Sequence, residues 1–430
     1  MKTNTAILIL LLPVLLFSIK IDIEEPIIQN NKFENELPTF LEAGNPKIPY
    51  IPIKILLPMG EKLKSVEIEY DRQNELLENV FIEPAKQVQP ISRAFSIIEK
   101  EIDLSIYNND EYYPVEDYKV LGTQRLNGYE ILLINLYPYK FNPVSKTVSW
   151  SRSASLNISS EFDSDLYEEQ NKFLISNRKV RDKISAIVEN PEIINSYQKH
   201  SIRFERDIPD PADPYSMIII TDEEREPYLS EFTEWKNARN IKTRVFLTSD
   251  IYSLFMGNDD AEKIKNFIIY AYQAYSGTDF PLEYVLLGGD DEIIPIRGVL
   301  IDTGYGTVDY HLPCDLYYSC LDNDWDANGN SVFGEIDDNV DLIPELAIGR
   351  IPAETESEFN NFFNKTHHYA ESTNFSDDVV YLVGENLNWN PLTWGGDYKD
   401  EVSTSVPTLE NDYHVYRLYD REGTYNALSV

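Results

Sequence analysis

The sequence predicts an α/β domain with a largely parallel sheet, preceded by a β-rich domain, and three observations carry that expectation. Residues 21–200 hold short alternating or β-branched runs separated by Pro, Asn and Gly, among them Ile51-Pro52-Ile53-Lys54-Ile55, Ser65-Val66-Glu67-Ile68-Glu69 and Leu156-Asn157-Ile158. From Met217 onward, continuous apolar runs alternate with segments of helical spacing, as expected of strands buried on both faces between helices. The two textures meet at residues 201–214, a connector punctuated by Pro209, Pro211 and Pro214.

The elements follow in order. Lys2 and the apolar run Ala6 to Phe17, interrupted by Pro13, read as an export leader over residues 1–20. That run is shorter than the roughly 20 apolar residues a spanning helix needs, and no later stretch predicts a membrane span. Residues 21–200 read as all-β. In the connector, Arg203 and Arg206 sit among acidic and apolar neighbours, so this segment is either a hinge or a site of processing. Residues 215–372 form the first α/β unit. Met217-Ile218-Ile219-Ile220 is a strand, and Pro227 to Arg239 a helix with Tyr228, Phe232 and Trp235 on one stripe. A strand near Val245-Phe246, a helix from Ala261 to Tyr275 and the strand Tyr284 to Leu287 come next. The strand Leu346-Ala347-Ile348 precedes a helix carrying Phe359, Phe362, Phe363 and Thr366. Residues 373–430 open a second unit with a buried strand, Val379 to Val383. Ligands of such sheets sit beyond the carboxyl ends of the strands, which directs attention to Asp290, Asp291 and Glu385.

Charge narrows the partners. A formal net charge of −36, from 73 acidic against 37 basic residues, repels phosphate backbones and anionic membranes, so nucleic acid is excluded as a partner. Clustered carboxylates favour divalent cations instead. Asp324, Asp326, Asn328, Gly329, Asn330 and Glu335 fit the twelve-residue Ca²⁺ loop pattern, with Gly329 at the sharp turn and Glu335 as the closing bidentate ligand. The predicted cofactor is therefore a structural Ca²⁺; a solvated acidic turn is the competing reading. Leu316-Tyr317-Tyr318 ahead of this loop reads as strand, so the loop stands outside a helix-loop-helix setting. The two cysteines, Cys314 and Cys320, make no disulfide framework. His311 and Cys314 lie three apart in a loop and are rejected as a nucleophilic pair, and the adjacent His367 and His368 point about 100° apart on a helix and cannot share a metal.

Several strings then resemble one family in order and spacing. EWKNARNIKTRVF (Glu234 to Phe246), YVLLGGDDEIIP (Tyr284 to Pro295), AIGRIP (Ala347 to Pro352), VGEN (Val383 to Asn386) and TWGGDYKDE (Thr393 to Glu401) are similar to the gingipain-type cysteine peptidases. GNPKIPYIPIKILLPMGEKLKSVEIE (Gly44 to Glu69) is similar to that family's propeptide. The resemblance implies a caspase/gingipain-like catalytic domain, incomplete here, preceded by a β-rich propeptide that inhibits it intramolecularly. It makes Arg203 and Arg206 candidate processing sites and Glu385 the carboxylate that orients a catalytic imidazole. It also suggests Asp397 as a substrate-binding residue, although the spacing differs from the gingipains. The family's nucleophilic Cys and its His are expected beyond Val430, so the chain itself is expected not to cleave the protein or peptide substrates of a secreted endopeptidase. Two rivals remain at this point: a secreted calcium-binding interaction protein, and a carboxylate hydrolase using Asp290 and Glu385.

Overall fold

The computed structural model describes residues 15–35, 37–40, 42–71, 75–85, 102–200, 208–302, 308–372, 379–389, 392–421 and 424–425. Most of the predicted leader, and both Arg203 and Arg206, lie outside the described residues.

The N-terminal domain is built from β1 (Leu15–Asp22), β2 (Ile51–Leu56), β3 (Glu61–Tyr70), β4 (Glu75–Glu78), β5 (Tyr118–Leu126), β6 (Tyr129–Leu136), β7 (Tyr139–Asn142), β8 (Thr147–Trp150) and β9 (Ser153–Phe162). These pair antiparallel in the orders β1-β9-β3, β2-β6-β5 and β4-β8-β7. In β9, buried Ala154, Leu156 and Ile158 alternate with half-exposed residues and share one core with Ile53 and Ile55 of β2 and Leu132 and Ile134 of β6. Leu15 to Lys20, assigned to the leader on sequence, occupy β1 in register with Ser160 to Ser155. Asn127 and Gly128 join β5 to β6 with φ of 52° and 84°, the left-handed pair a two-residue hairpin requires.

The domain is not β throughout, as the sequence suggested. Asp163 accepts hydrogen bonds from the N–H groups of Asp165 and Leu166 and starts α1 (Ser164–Phe173); Asn177 does the same for Val180 and starts α2 (Arg178–Ser185). Both helices are short and polar, so their periodicity is faint in sequence. Tertiary packing stabilises them: Leu174 and Ile184 bury against Leu126, Tyr129 and Ile131 of the hairpin.

The α/β region opens with β10 (Met217–Thr221), α3 (Ser230–Ala238), β11 (Thr243–Leu247), α4 (Thr248–Leu254), α5 (Asp260–Tyr275) and β12 (Tyr284–Gly288). It continues with the antiparallel hairpin β13 (Gly298–Asp302) and β14 (Val308–Pro313), then β15 (Ala347–Ile351) and α6 (Glu356–Glu371). The main sheet is parallel, in the order β11-β10-β12-β15. Every residue of β10 is buried because both faces are covered. Ile218 and Ile220 join Ile264, Phe267 and Ile268 of α5 in one core, while Met217 and Ile219 join Phe232 and Phe359 of the opposite helices in another. Each such side chain contributes on the order of 1.5–3 kcal/mol by leaving water.

The last segment contains β16 (Val379–Gly384), β17 (Asn386–Trp389), β18 (Leu392–Trp394), α7 (Gly395–Ser405) and β19 (His414–Arg421). Strands β16 and β19 pair in parallel. β16 differs from the expected buried strand: Leu382 is buried, but Tyr381 and Val383 are each 59% exposed. Thr424–Tyr425 pair antiparallel with Asp420 and Arg421; residues 426–430 lie outside the described residues. Leu316 to Tyr318 are a 3-10 turn, not a strand. Among the described residues no helix is long and apolar enough to cross a membrane.

The two domains meet at the β5–β6 hairpin and α1. Phe173 and Ile175 enter the α5 core, and the Phe173 and Tyr272 rings lie 6.1 Å apart. The Asn127 amide donates to the Tyr272 hydroxyl (2.9 Å) and to the Glu345 carbonyl (2.8 Å).

Candidate functional site

Three glycines shape the carboxyl end of β16. A Cβ on Gly384 would lie 2.3 Å from the backbone nitrogen of Gly396, and a Cβ on Gly396 would lie 2.7 Å from the Tyr419 ring. The Gly395 N–H donates to the Glu385 carbonyl at 2.7 Å. The N-terminus of α7 therefore rests directly on the strand end, with Glu385 exposed beside it and Asp397 exposed in the first helical turn. Asp400, one turn further, is anchored: it accepts from Arg417 Nε (2.9 Å) and the Tyr419 hydroxyl (2.8 Å). Burial and the neighbouring Asp400 push the Tyr419 hydroxyl up to about 12. Asp400 thus fixes α7 to β19, whereas Glu385 and Asp397 stand at the same corner. An exposed carboxylate there can orient an imidazole, but cannot by itself supply a nucleophile and a proton shuttle.

At the carboxyl end of β12, Gly289 takes φ of 157°, and a Cβ there would meet Ile293 at 2.6 Å. Asp290 accepts from the Glu292 N–H at 3.1 Å and so caps the turn. Sequence reasoning missed the residue that holds this corner. Arg350 of β15 forms a bidentate pair with Asp315, both contacts at 2.8 Å, and donates to the carbonyls of Gly289 (3.1 Å), Asp290 (2.9 Å) and Ile294 (2.7 Å). Its signal was a lone arginine inside the apolar string AIGRIP.

The acidic loop is compact. Asp326 N–H donates to the Asp324 carboxylate (3.0 Å), Ser331 N–H to Asp326 (3.0 Å), Asn330 N–H to the Asn328 side chain (3.0 Å) and Val332 N–H to the Asn330 side chain (2.7 Å). Glu335 Oε1 accepts from the amides of Asn328 and Asn330. Gly329 turns with φ of 72° and open space where a Cβ would be. The oxygen-only donor set is of the kind Ca²⁺ takes, and Asn328 and Asn330 turn their amide nitrogens, not their oxygens, to Glu335. Asp324, Asp326 and Glu335 do not form a cluster of three acids, however.

The cysteines occupy other surroundings. Cys314 opens the 3-10 turn near the exposed His311, and Cys320 is fully buried with its thiol pushed up by burial and by Asp341 and Glu345. Beside it, burial raises both Asp322 and Glu345, joined by repulsion from Asp341 at Asp322 and from Asp322 and Asp341 at Glu345. The Arg125 guanidinium, from the hairpin of the other domain, lies 3.6 Å from Asp322 and 3.2 Å from Glu130. His367 packs its ring on Trp235 and Phe363, at 5.6 and 5.7 Å.

Comparison with known proteins places these features. Residues 210–429 match the sequence model of peptidase family C25, and residues 14–186 match that of the C25 propeptide. Gingipain R2 of Porphyromonas gingivalis is 24% identical over 363 residues, covering 81% of this chain and 42% of its own. Gingipain R1 of the same species is 22% identical over 360 residues, covering 81% of this chain and 31% of its own. The chain thus spans less than half the length of these curated relatives. Among solved structures, the Arg-specific cysteine proteinase gingipain R aligns at 21% identity and a TM-score of 0.32, covering 52% of this chain and 44% of that one. A complex of the pro- and mature domains of Porphyromonas gingivalis RgpB aligns at 16% and 0.30, covering 41% and 92%.

Proposed function

Because the chain belongs to peptidase family C25, we propose that it is the propeptide and the first part of the catalytic region of a secreted cysteine endopeptidase that acts on proteins. The observation that carries this reading is the glycine-lined corner at the end of β16, where Glu385 stands exposed beside the N-terminus of α7. In this account Glu385 orients an imidazole, the imidazole activates a thiolate, and the thiolate attacks the scissile carbonyl. Neither cysteine within the 430 residues suits that task. Cys320 is buried with a raised thiol pKa, and Cys314 sits at a turn after β14 instead of at the end of a parallel strand. The thiolate of this account is therefore neither Cys314 nor Cys320. Asp397 contributes to substrate recognition at the same corner.

The N-terminal domain acts as an intramolecular inhibitor, held by Asn127, Phe173 and Ile175 and released by cleavage at Arg203 or Arg206. A structural Ca²⁺ is held by Asp324, Asp326, Asn328, Asn330 and Glu335. Chelator should lower the melting temperature by several degrees, by the linkage between ion binding and folding; an unchanged melting temperature would remove calcium from the account. The catalytic assignment is tested by offering the 430-residue chain fluorogenic peptides with basic, acidic and apolar residues before the scissile bond. No hydrolysis is expected. Hydrolysis that disappears in Cys314→Ser would overturn the assignment.

A further inference from the structure

One side-chain cluster is used by none of this. Cys320, Asp322 and Glu345 each bring a ligand atom within 4.8 Å of the others, and all three belong to the α/β domain. Cys320 and Asp322 follow the 3-10 turn Asp315–Tyr318, and Glu345 lies just before β15. Cys320 is fully buried, the Asp322 side chain is 0% exposed, and Glu345 is 6% exposed.

The cluster is incompletely satisfied. Glu345 Oε2 accepts from the Leu321 N–H at 2.8 Å, but its Oε1 is buried with no hydrogen-bond partner. Asp322 Oδ2 also lacks a hydrogen bond, and Arg125 Nη1 stands 3.6 Å from it. Orphaned carboxylate oxygens in the interior are costly and point to a missing positive partner. The surrounding charges leave room for one. Arg125 and Lys265 are the cations here, against the carboxylates of Asp322, Asp341, Glu345 and Glu130.

We propose that Cys320, Asp322 and Glu345 bind one divalent transition-metal ion of the Zn²⁺ class. A sulfur donor with two carboxylates selects this class, since Ca²⁺ takes six to eight oxygens and no thiolate. Binding replaces the thiol proton, which leaves to solvent, by the metal–sulfur bond. The proton displaced is the one Cys320 Sγ now donates to Asp341 Oδ1 (3.5 Å), and Asp341 keeps the N–H groups of Ile343 (2.9 Å) and Arg125 (3.2 Å) as donors. The hairpin of the N-terminal domain closes the site through Arg125 and Asn127.

The test titrates Co²⁺ into the metal-free 430-residue chain in excess Ca²⁺, so that the acidic loop is already filled. One equivalent of Co²⁺ should give a thiolate-to-cobalt charge-transfer band that Zn²⁺ abolishes. The band should vanish in Cys320→Ser and persist in Cys314→Ser, and Glu345→Gln should weaken Co²⁺ binding at least about tenfold. X-ray absorption at the zinc edge of the wild-type chain needs no variant and should find one sulfur among oxygen donors. Absence of the band in the wild type, its survival in Cys320→Ser, or an all-oxygen shell at the zinc edge would each overturn the proposal.

Discussion

The two parallel sheets of the α/β region differ in how their faces are covered. In the β11-β10-β12-β15 sheet, α5 packs on one face and α3 and α6 on the other, so β10 is buried at every position. In the β16-β19 pair, α7 lies against the strands, Leu382 is buried, and Tyr381, Val383 and Tyr416 stand 59%, 59% and 42% exposed. The Tyr381 and Tyr416 rings stack at 5.3 Å and 22° across the strand pair, forming an apolar surface. An apolar run in a strand therefore states that both faces are fit for burial; coverage depends on elements elsewhere. The open face of the second sheet adjoins the corner where Glu385 and Asp397 stand.

The same truncation should separate the sheets. Leu287→Ala, in the covered sheet, should cost about 3–4 kcal/mol in denaturant unfolding, the range of fully buried leucines. Loss of the corner arginine is next: Arg350→Met strands Asp315 and three carbonyls, and should cost about 3 kcal/mol. Arg350→Lys should recover little, because an ammonium cannot reproduce the fork. Asn127→Gly keeps the left-handed backbone of the hairpin and removes only the bonds to Tyr272 and Glu345. About 2 kcal/mol should be lost, and the domain interface should open to proteolysis. Val383→Ala, on the open face, should change stability by less than about 0.5 kcal/mol. A cost for Val383→Ala approaching that of Leu287→Ala would erase the distinction.

Much of the first sheet was legible because it depends on local pattern. The helix α5 could be read from the spacing of Ile264, Phe267, Ile268 and Ala271, and Asp259 supplies its cap by accepting from the Glu262 N–H. Strands β10 and β12 could be read from their apolar runs. Leu316 to Tyr318 could not: a run of three apolar residues serves a strand and a 3-10 turn equally, and the buried Tyr317 and Tyr318 rings here pack against each other at 5.3 Å. The helices α1 and α2 escaped for the opposite reason, since their few apolar positions gain meaning only against the hairpin they cover.

The candidate site divides the same way. Glu385 and Asp290 were placed by the rule that strand ends carry ligands, and the structure puts both at such ends. The roles of Asp400 and Arg350 were not legible, because their partners, Tyr419 and Asp315, are brought to them only by folding. The cluster of Cys320, Asp322 and Glu345 was still less visible, as its closure depends on Arg125 from the other domain.

Amide hydrogen exchange of the 430-residue chain tests the difference between the sheets most directly. Ile218 to Ile220 and Val285 to Leu287 should exchange only through global unfolding, while Tyr381 to Val383 should exchange orders of magnitude faster through local opening. Equal protection in β10, β12 and β16 would contradict the account, since the second sheet would then be as well shielded as the first.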